Sequence, residues 1–120
     1  MTRTITVAGG GLSGLSVAAL LSRLGRPVSI RERKGHAGGR FAGGWQVIEN
    51  GSTCLDALAE LEALGFPPDI PARPARRAIF LDDRGGAFEV ASREPFAYFV
   101  RRGSGEGTLD GWLSAHAEDA

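Results

Sequence analysis

A single cysteine, Cys54, stands in the 120-residue chain, so no internal disulfide can form. Two histidines are too few for a cluster with zinc-ligand spacing, and no metal site is expected. A reducing compartment is the default reading. Charge of one sign is also lacking. Fourteen basic side chains face fourteen acidic ones, a formal net charge of zero, so no global field draws the chain to nucleic acid or to an anionic membrane. Long apolar runs are missing as well: no window reaches the roughly 18 residues that span a bilayer, and the start Met1-Thr2-Arg3-Thr4-Ile5 carries no secretory h-region. No transmembrane segment is expected, and the expected location is cytoplasmic. Lysine is nearly absent, with Lys34 alone against thirteen arginines, a bias of coding more than of chemistry.

What is present is glycine, 18 residues in 120, about twice the usual share. Thr4 to Ala8 is a β-branched run; Leu12, Leu15, Ala19 and Leu20 then recur at helical spacing up to Gly25, and Val28 to Glu32 reads as a second strand. A helix joining two short strands makes them parallel neighbours with a right-handed crossover, the start of an α/β layer. Lys34 to Gly44 is a glycine-rich loop, and Trp45 to Ile48 a short strand. Leu55, Leu58, Leu61 and Leu64 predict a helix capped by Ser52 or Thr53, with Cys54 as a packing residue near its start. Residues 71–77 read as an extended linker. Ala78 to Leu81 and Ala87 to Val90 flank Asp82-Asp83-Arg84-Gly85-Gly86 as a β-hairpin, Phe96 to Val100 follows as a third strand, and Thr108 caps a last helix. The aromatics Trp45, Phe80, Phe88, Phe96, Tyr98 and Phe99 are expected in a core or in a substrate-domain wall.

Gly9-Gly10-Gly11-Leu12-Ser13-Gly14 matches G-x-G-x-x-G, which in a glycine-rich chain means little as a string. Its surroundings carry the weight. The motif follows a strand, opens a helix, and is answered by an acid at the end of the next strand: Glu32, eighteen residues beyond Gly14, where about 20 is expected. Gly9 permits the tight turn, Gly11 lets the backbone approach a pyrophosphate, and Gly14 lets the helix pack on the strand. The free N–H groups of Leu12, Ser13 and Gly14 at the helix start would face the phosphates, and Glu32 would accept from ribose hydroxyls while repelling a 2′-phosphate. Gly103-Ser104-Gly105-Glu106-Gly107 lacks this spacing and reads as a mobile loop.

Val7 to Gly14, Glu32 and Arg33-Lys34-Gly35-His36-Ala37-Gly38-Gly39-Arg40 together resemble the FAD-dependent oxidoreductases, in which the dinucleotide fingerprint and ribose acid are followed by a second glycine doublet and an arginine. The resemblance implies FAD as cofactor. It places Gly38, Gly39 and Arg40 along the FAD or at its entrance, and Arg33 near the adenine. A hydride equivalent would move between the flavin and either NAD(P)H or a small organic substrate, isoprenoid or aromatic. Beyond residue 50, Asn50-Gly51-Ser52, the leucine helix and Tyr98-Phe99-Val100-Arg101 with Leu109 and Leu113 look like the aromatic-hydroxylase and geranylgeranyl-reductase branch. Phytoene-desaturase-like and amine-oxidase-like flavoproteins match the first half equally well, and a non-catalytic carrier of this fold is the alternative from another class.

The expected fold is therefore α/β: a Rossmann-like parallel sheet binding FAD or NAD(P), incomplete, with the start of an inserted β-rich substrate domain. Residues 1–75 would form the first part of the FAD-binding domain, 76–102 strands of the substrate domain, and 103–120 the return loop and helix. The last helix is expected to run close to Ala120 with an apolar stripe lacking its partner strand. The expected cofactor-binding residues are Gly9, Gly11, Leu12, Ser13, Gly14, Glu32, Arg33, Gly39 and Arg40; no catalytic residue is assigned. Because the resemblance puts the ribityl and flavin contacts far downstream, weak FAD binding by these 120 residues is expected.

Overall fold

The computed structural model describes residues 3–118. Strand β1 (Ile5–Ala8) leads into helix α1 (Leu12–Arg23), which returns the chain to β2 (Val28–Arg31); the strands pair in parallel, Ile5 opposite Val28 and Ala8 opposite Arg31. Helix α1 buries Leu15, Ala18 and Ala19. Its end is written in Gly25, which takes φ +69° and donates to the Ser22 carbonyl while the Arg26 N–H reaches back to Leu21. That pair of bonds satisfies carbonyls the helix leaves open, and glycine adopts the left-handed conformation it needs without a Cβ penalty.

Beyond the glycine loop come β3 (Trp45–Glu49), α2 (Ala57–Ala63), β4 (Ala72–Ala75), β5 (Arg77–Leu81), β6 (Ala87–Ala91), β7 (Ala97–Arg101) and α3 (Leu109–Glu118). Strands β3, β7 and β4 form an antiparallel sheet in that order, while β5 and β6 pair only with each other as a hairpin. The core gathers where α1 meets α3 and the central strand β7: Leu15, Ala19, Phe66, Ile70, Val100, Leu109 and Leu113. The radius of gyration is 17.1 Å, against about 14 Å for a compact chain of this size. The molecule is elongated, 63 × 31 × 21 Å, and every residue of β6 is exposed.

Several local expectations are corrected. Helix α2 begins later than predicted, and its cap is Asp56, whose carboxylate accepts from the N–H groups of Leu58 and Ala59. Neither Ser52 nor Thr53 caps it. Leu55 and Cys54 lie before the helix and are exposed, so Cys54 is no packing residue. Asp56 prevails because Asn50 and Tyr98 also donate to it, a tertiary cluster that fixes where the helix can start. The predicted linker contains β4. Its Pro74 lies opposite Tyr98 on an edge strand, where a missing N–H is tolerated. Among the aromatics, Tyr98 is buried, but Trp45, Phe80, Phe88 and Phe99 are largely exposed. On α3, Leu109 and Leu113 are buried, and the element they pack beside is the helix α1, not a further parallel strand. Residues 119 and 120 lie outside the described part, and among the described residues the parallel layer has two strands.

Candidate dinucleotide site

The glycine turn has the geometry its spacing implies. Gly9 sits at φ +102° and donates to the Arg31 carbonyl at 2.8 Å, extending the β1–β2 ladder by one bond before the chain turns. A Cβ on Gly14 would stand 2.0 Å from the Gly9 carbonyl oxygen, so only glycine lets α1 approach β1 so closely. Gly11 differs: it lies at φ −80°, ψ 180°, and nothing in the protein comes within 4 Å of the place its Cβ would take. No protein neighbour demands a glycine at position 11. No side chain caps α1 either, so the helix start presents orphan N–H groups and the positive end of its dipole.

Glu32 closes the turn from β2. Its Oε2 accepts from Gly10 N–H at 2.7 Å and its Oε1 from Lys34 N–H at 2.8 Å. These bonds, the one from Lys34 foremost and that from Gly10 next, hold its carboxyl below the usual carboxylate range. A carboxylate has about four acceptor positions, so capacity remains for further donors. Sequence reasoning gave Gly10 no role; here its amide orients the acid.

One cavity of about 500 Å³ brings together all the residues predicted for the site: Gly9, Gly11, Leu12, Ser13 and Gly14 from the turn, Glu32 and Arg33 beyond β2, and Gly39 and Arg40 from the second glycine loop. The loop is shaped by close packing. A Cβ on Gly39 would meet the His36 ring at 2.9 Å, and Gly38, at φ +74°, lies against Asp110 and the Gly103 backbone, where a Cβ would come within 2.8 Å. Lys34 Nζ donates to the Gly39 carbonyl. Phe41 lies under two guanidinium groups, Arg40 at 5.2 Å and Arg102 at 4.8 Å from its ring centre.

The far wall comes from the end of β7 and the start of α3. Arg102, 8% exposed, and Asp110, 0% exposed, form a buried bidentate ion pair that lines the cavity. Burial pushes the Asp110 carboxyl up, but the bonds from Arg102 and from Gly103 N–H outweigh it and hold the group low; Arg102 is raised by the same pair. No sequence signal distinguishes Asp110 from any other acid in the first turn of a helix. The loop 103–107, predicted mobile, is tied down: Thr108 Oγ1 donates to the carbonyls of Gly103 and Gly105 and accepts from Gly111 N–H as the cap of α3. His116 bonds back to the Trp112 carbonyl and takes no part in the cavity. Among the described residues no helix is long and apolar enough to cross a membrane.

Residues 7–60 match the family model of the NAD(P)-binding Rossmann-like domain. No curated protein matches the chain. Among solved structures, a single-site mutant of 2-methyl-3-hydroxypyridine-5-carboxylic acid oxygenase is similar at 21% identity with a TM-score of 0.69, over 99% of this chain and 30% of that one. The 2,6-dihydroxypyridine-3-hydroxylase of Arthrobacter nicotinovorans is similar at 24% identity with a TM-score of 0.60, over 94% of this chain and 26% of that one. The chain thus spans less than a third of the length of either enzyme. Residues 7–60 are similar to the NAD(P)-binding Rossmann-like domain, and the chain has the α/β fold, with a small parallel layer, that its sequence led one to expect.

Proposed function

We propose that the chain is the nucleotide-binding part of an FAD-dependent oxidoreductase and that its glycine-lined cavity takes the ADP half of FAD. The observation that carries this reading is the space at Gly11: a Cβ there would have no protein atom within 4 Å, so the position stays open to whatever lies over the uncapped start of α1. In this reading the N–H groups of Leu12, Ser13 and Gly14 bind the pyrophosphate. Glu32, already oriented by Gly10 and Lys34, accepts from the ribose hydroxyls and turns away a 2′-phosphate. Arg33, Lys34, Arg40 and Arg102 line the cavity against two carboxylates, Glu32 and Asp110, a balance suited to a dianion. Gly39 and Arg40 border the cofactor from the second loop. When bound, the flavin supplies hydride transfer with NAD(P)H or an organic substrate; the residues here bind and orient. An aromatic substrate is favoured over an isoprenoid one by the two similar structures, whose names are those of enzymes acting on pyridines. Hairpin β5–β6 would begin the substrate domain expected over 76–102, with β7 returning to the sheet of β3.

Titration of the chain with FAD, followed by flavin fluorescence and by competition with ADP, tests the assignment. Binding that ADP displaces supports it. Failure of both to bind refutes it, and binding of NAD⁺ without FAD reassigns the site to a nicotinamide dinucleotide. For a longer protein carrying this segment, bleaching of the flavin absorbance by NAD(P)H or substrate separates an enzyme from a carrier.

A further inference from the structure

Asp110 has no access to solvent, yet it lines the cavity read above as an anion site. An acid is the wrong charge to hold a phosphate, and its reason lies in what it grips. Oδ2 accepts from Arg102 Nε and Oδ1 from Arg102 Nη2, both at 2.8 Å, and Oδ2 also takes Gly103 N–H at 3.0 Å. Gln46 Oε1 accepts from Arg102 Nη1. A guanidinium carries five N–H groups. Three are used here, leaving one on each terminal nitrogen of a side chain that faces the cavity. Gly38 is pressed against Asp110 as well, so the same acid sets the distance between the second glycine loop and the 103–108 loop. These groups come from the end of β7 and from α3. Gly9 to Gly14 and Glu32, by contrast, come from β1, α1 and β2, so the two walls of the cavity belong to different sheets.

We infer that Asp110 is a positioning residue: it fixes the Arg102 guanidinium so that its two remaining N–H groups meet acceptors on the part of a dinucleotide beyond its ADP half. The inference rests on the dinucleotide reading above and deepens it. Asp110 offsets the charge of Arg102, which then acts as an oriented donor and not as a free cation. In Asp110→Asn the side-chain NH₂ replaces one acceptor and stands donor to donor against Nε or Nη2, so the guanidinium must turn.

The experiment compares affinities for two probes, ADP and FAD, in the wild-type chain, in Asp110→Asn and in Gln46→Leu. Asp110→Asn should weaken FAD about tenfold, the loss of a charge-assisted bond, and change ADP by no more than about twofold. Gln46 is exposed, and its replacement removes only the third partner of Arg102; about a threefold loss for FAD, with ADP unchanged, is expected. Retained ADP binding shows that each variant is folded. Equal losses for both probes, or an unchanged FAD-to-ADP ratio in both variants, overturn the inference. Should Asp110→Asn fail to fold, the ratio in Gln46→Leu decides alone. A wild-type chain that binds ADP but neither FAD nor NAD⁺ overturns the proposed function; one that binds only NAD⁺ overturns the choice of flavin, and the NAD⁺-to-ADP ratio then judges Asp110.

Discussion

Gly11→Ala and Gly14→Ala each add one methyl group to the same turn, and they should fail in opposite ways. At Gly14 the new Cβ would lie 2.0 Å from the Gly9 carbonyl oxygen and 3.1 Å from its carbon. Both atoms are backbone, so α1 must slide off β1. Overpacking of this severity costs about 3 kcal/mol, and the better helix propensity of alanine returns about 1 kcal/mol. The net loss of about 2 kcal/mol lowers Tm by about 6–10 °C. At Gly11 the backbone suits any residue and the space is open. Weaker capping by alanine and the entropy removed from the unfolded chain are each about 0.5–1 kcal/mol and opposite in sign. Tm should therefore move by no more than about 3 °C. The methyl nonetheless stands over the helix start, where the pyrophosphate is placed, and affinity for ADP should fall at least about tenfold, or 1.4 kcal/mol. Thermal melts followed by circular dichroism and ADP titrations read the two effects separately. Wild-type ADP affinity in Gly11→Ala would show that no phosphate sits at the helix start, and a wild-type Tm in Gly14→Ala would refute the close helix–strand contact.

Tyr98 is the one tyrosine of the chain, so its ionisation can be followed directly by ultraviolet absorbance. Burial, and then its bond to the Asp56 carboxylate, push its pKa up to about 12; the neutral form is favoured in the fold, so the associated stability is complete below pH 10 and is lost as the pH rises toward 12. A midpoint near 10 in the folded protein would contradict this. Replacing Asp56 by Ala removes the α2 cap and two side-chain partners and should cost about 2 kcal/mol by urea denaturation, with no loss beyond error as the refuting result. Depressed carboxyls at Glu32, Asp56 and Asp110 favour the ionised form in the fold, so stability present above pH 4.5 should fall as acid titrates them. Glu32→Gln should flatten the acid side of any ligand-affinity profile, and an unchanged profile would remove Glu32 from the site.

Local signals were enough wherever a short stretch of chain carried its own constraint. The βαβ start was legible because β-branched strands, the helical repeat of α1 and Gly25 all act within a few residues. The hairpin was legible because Asp82 organises its own turn, accepting from Arg84 and Gly86 N–H. The start of α2 was misread because two nearby hydroxyls and Asp56 are equally good caps in sequence, and the choice falls to Asn50 and Tyr98. Strand β4 was hidden for a similar reason: Ala-Arg-Pro-Ala has little intrinsic strand preference, and β7 supplies its pairing.

The same division runs through the site. The sequence by itself determined a dinucleotide turn and its answering acid, because the spacing from Gly9 to Glu32 is set by one helix and two strands that must be neighbours. Tertiary structure alone decided the opposite wall. Phe41 is far along the chain from Arg102 and Asp110, and only the pairing of β7 with β3 and the packing of α3 on α1 bring them to one cavity. A buried ion pair is a matter of which two groups leave water together, and that is settled by packing and not by composition.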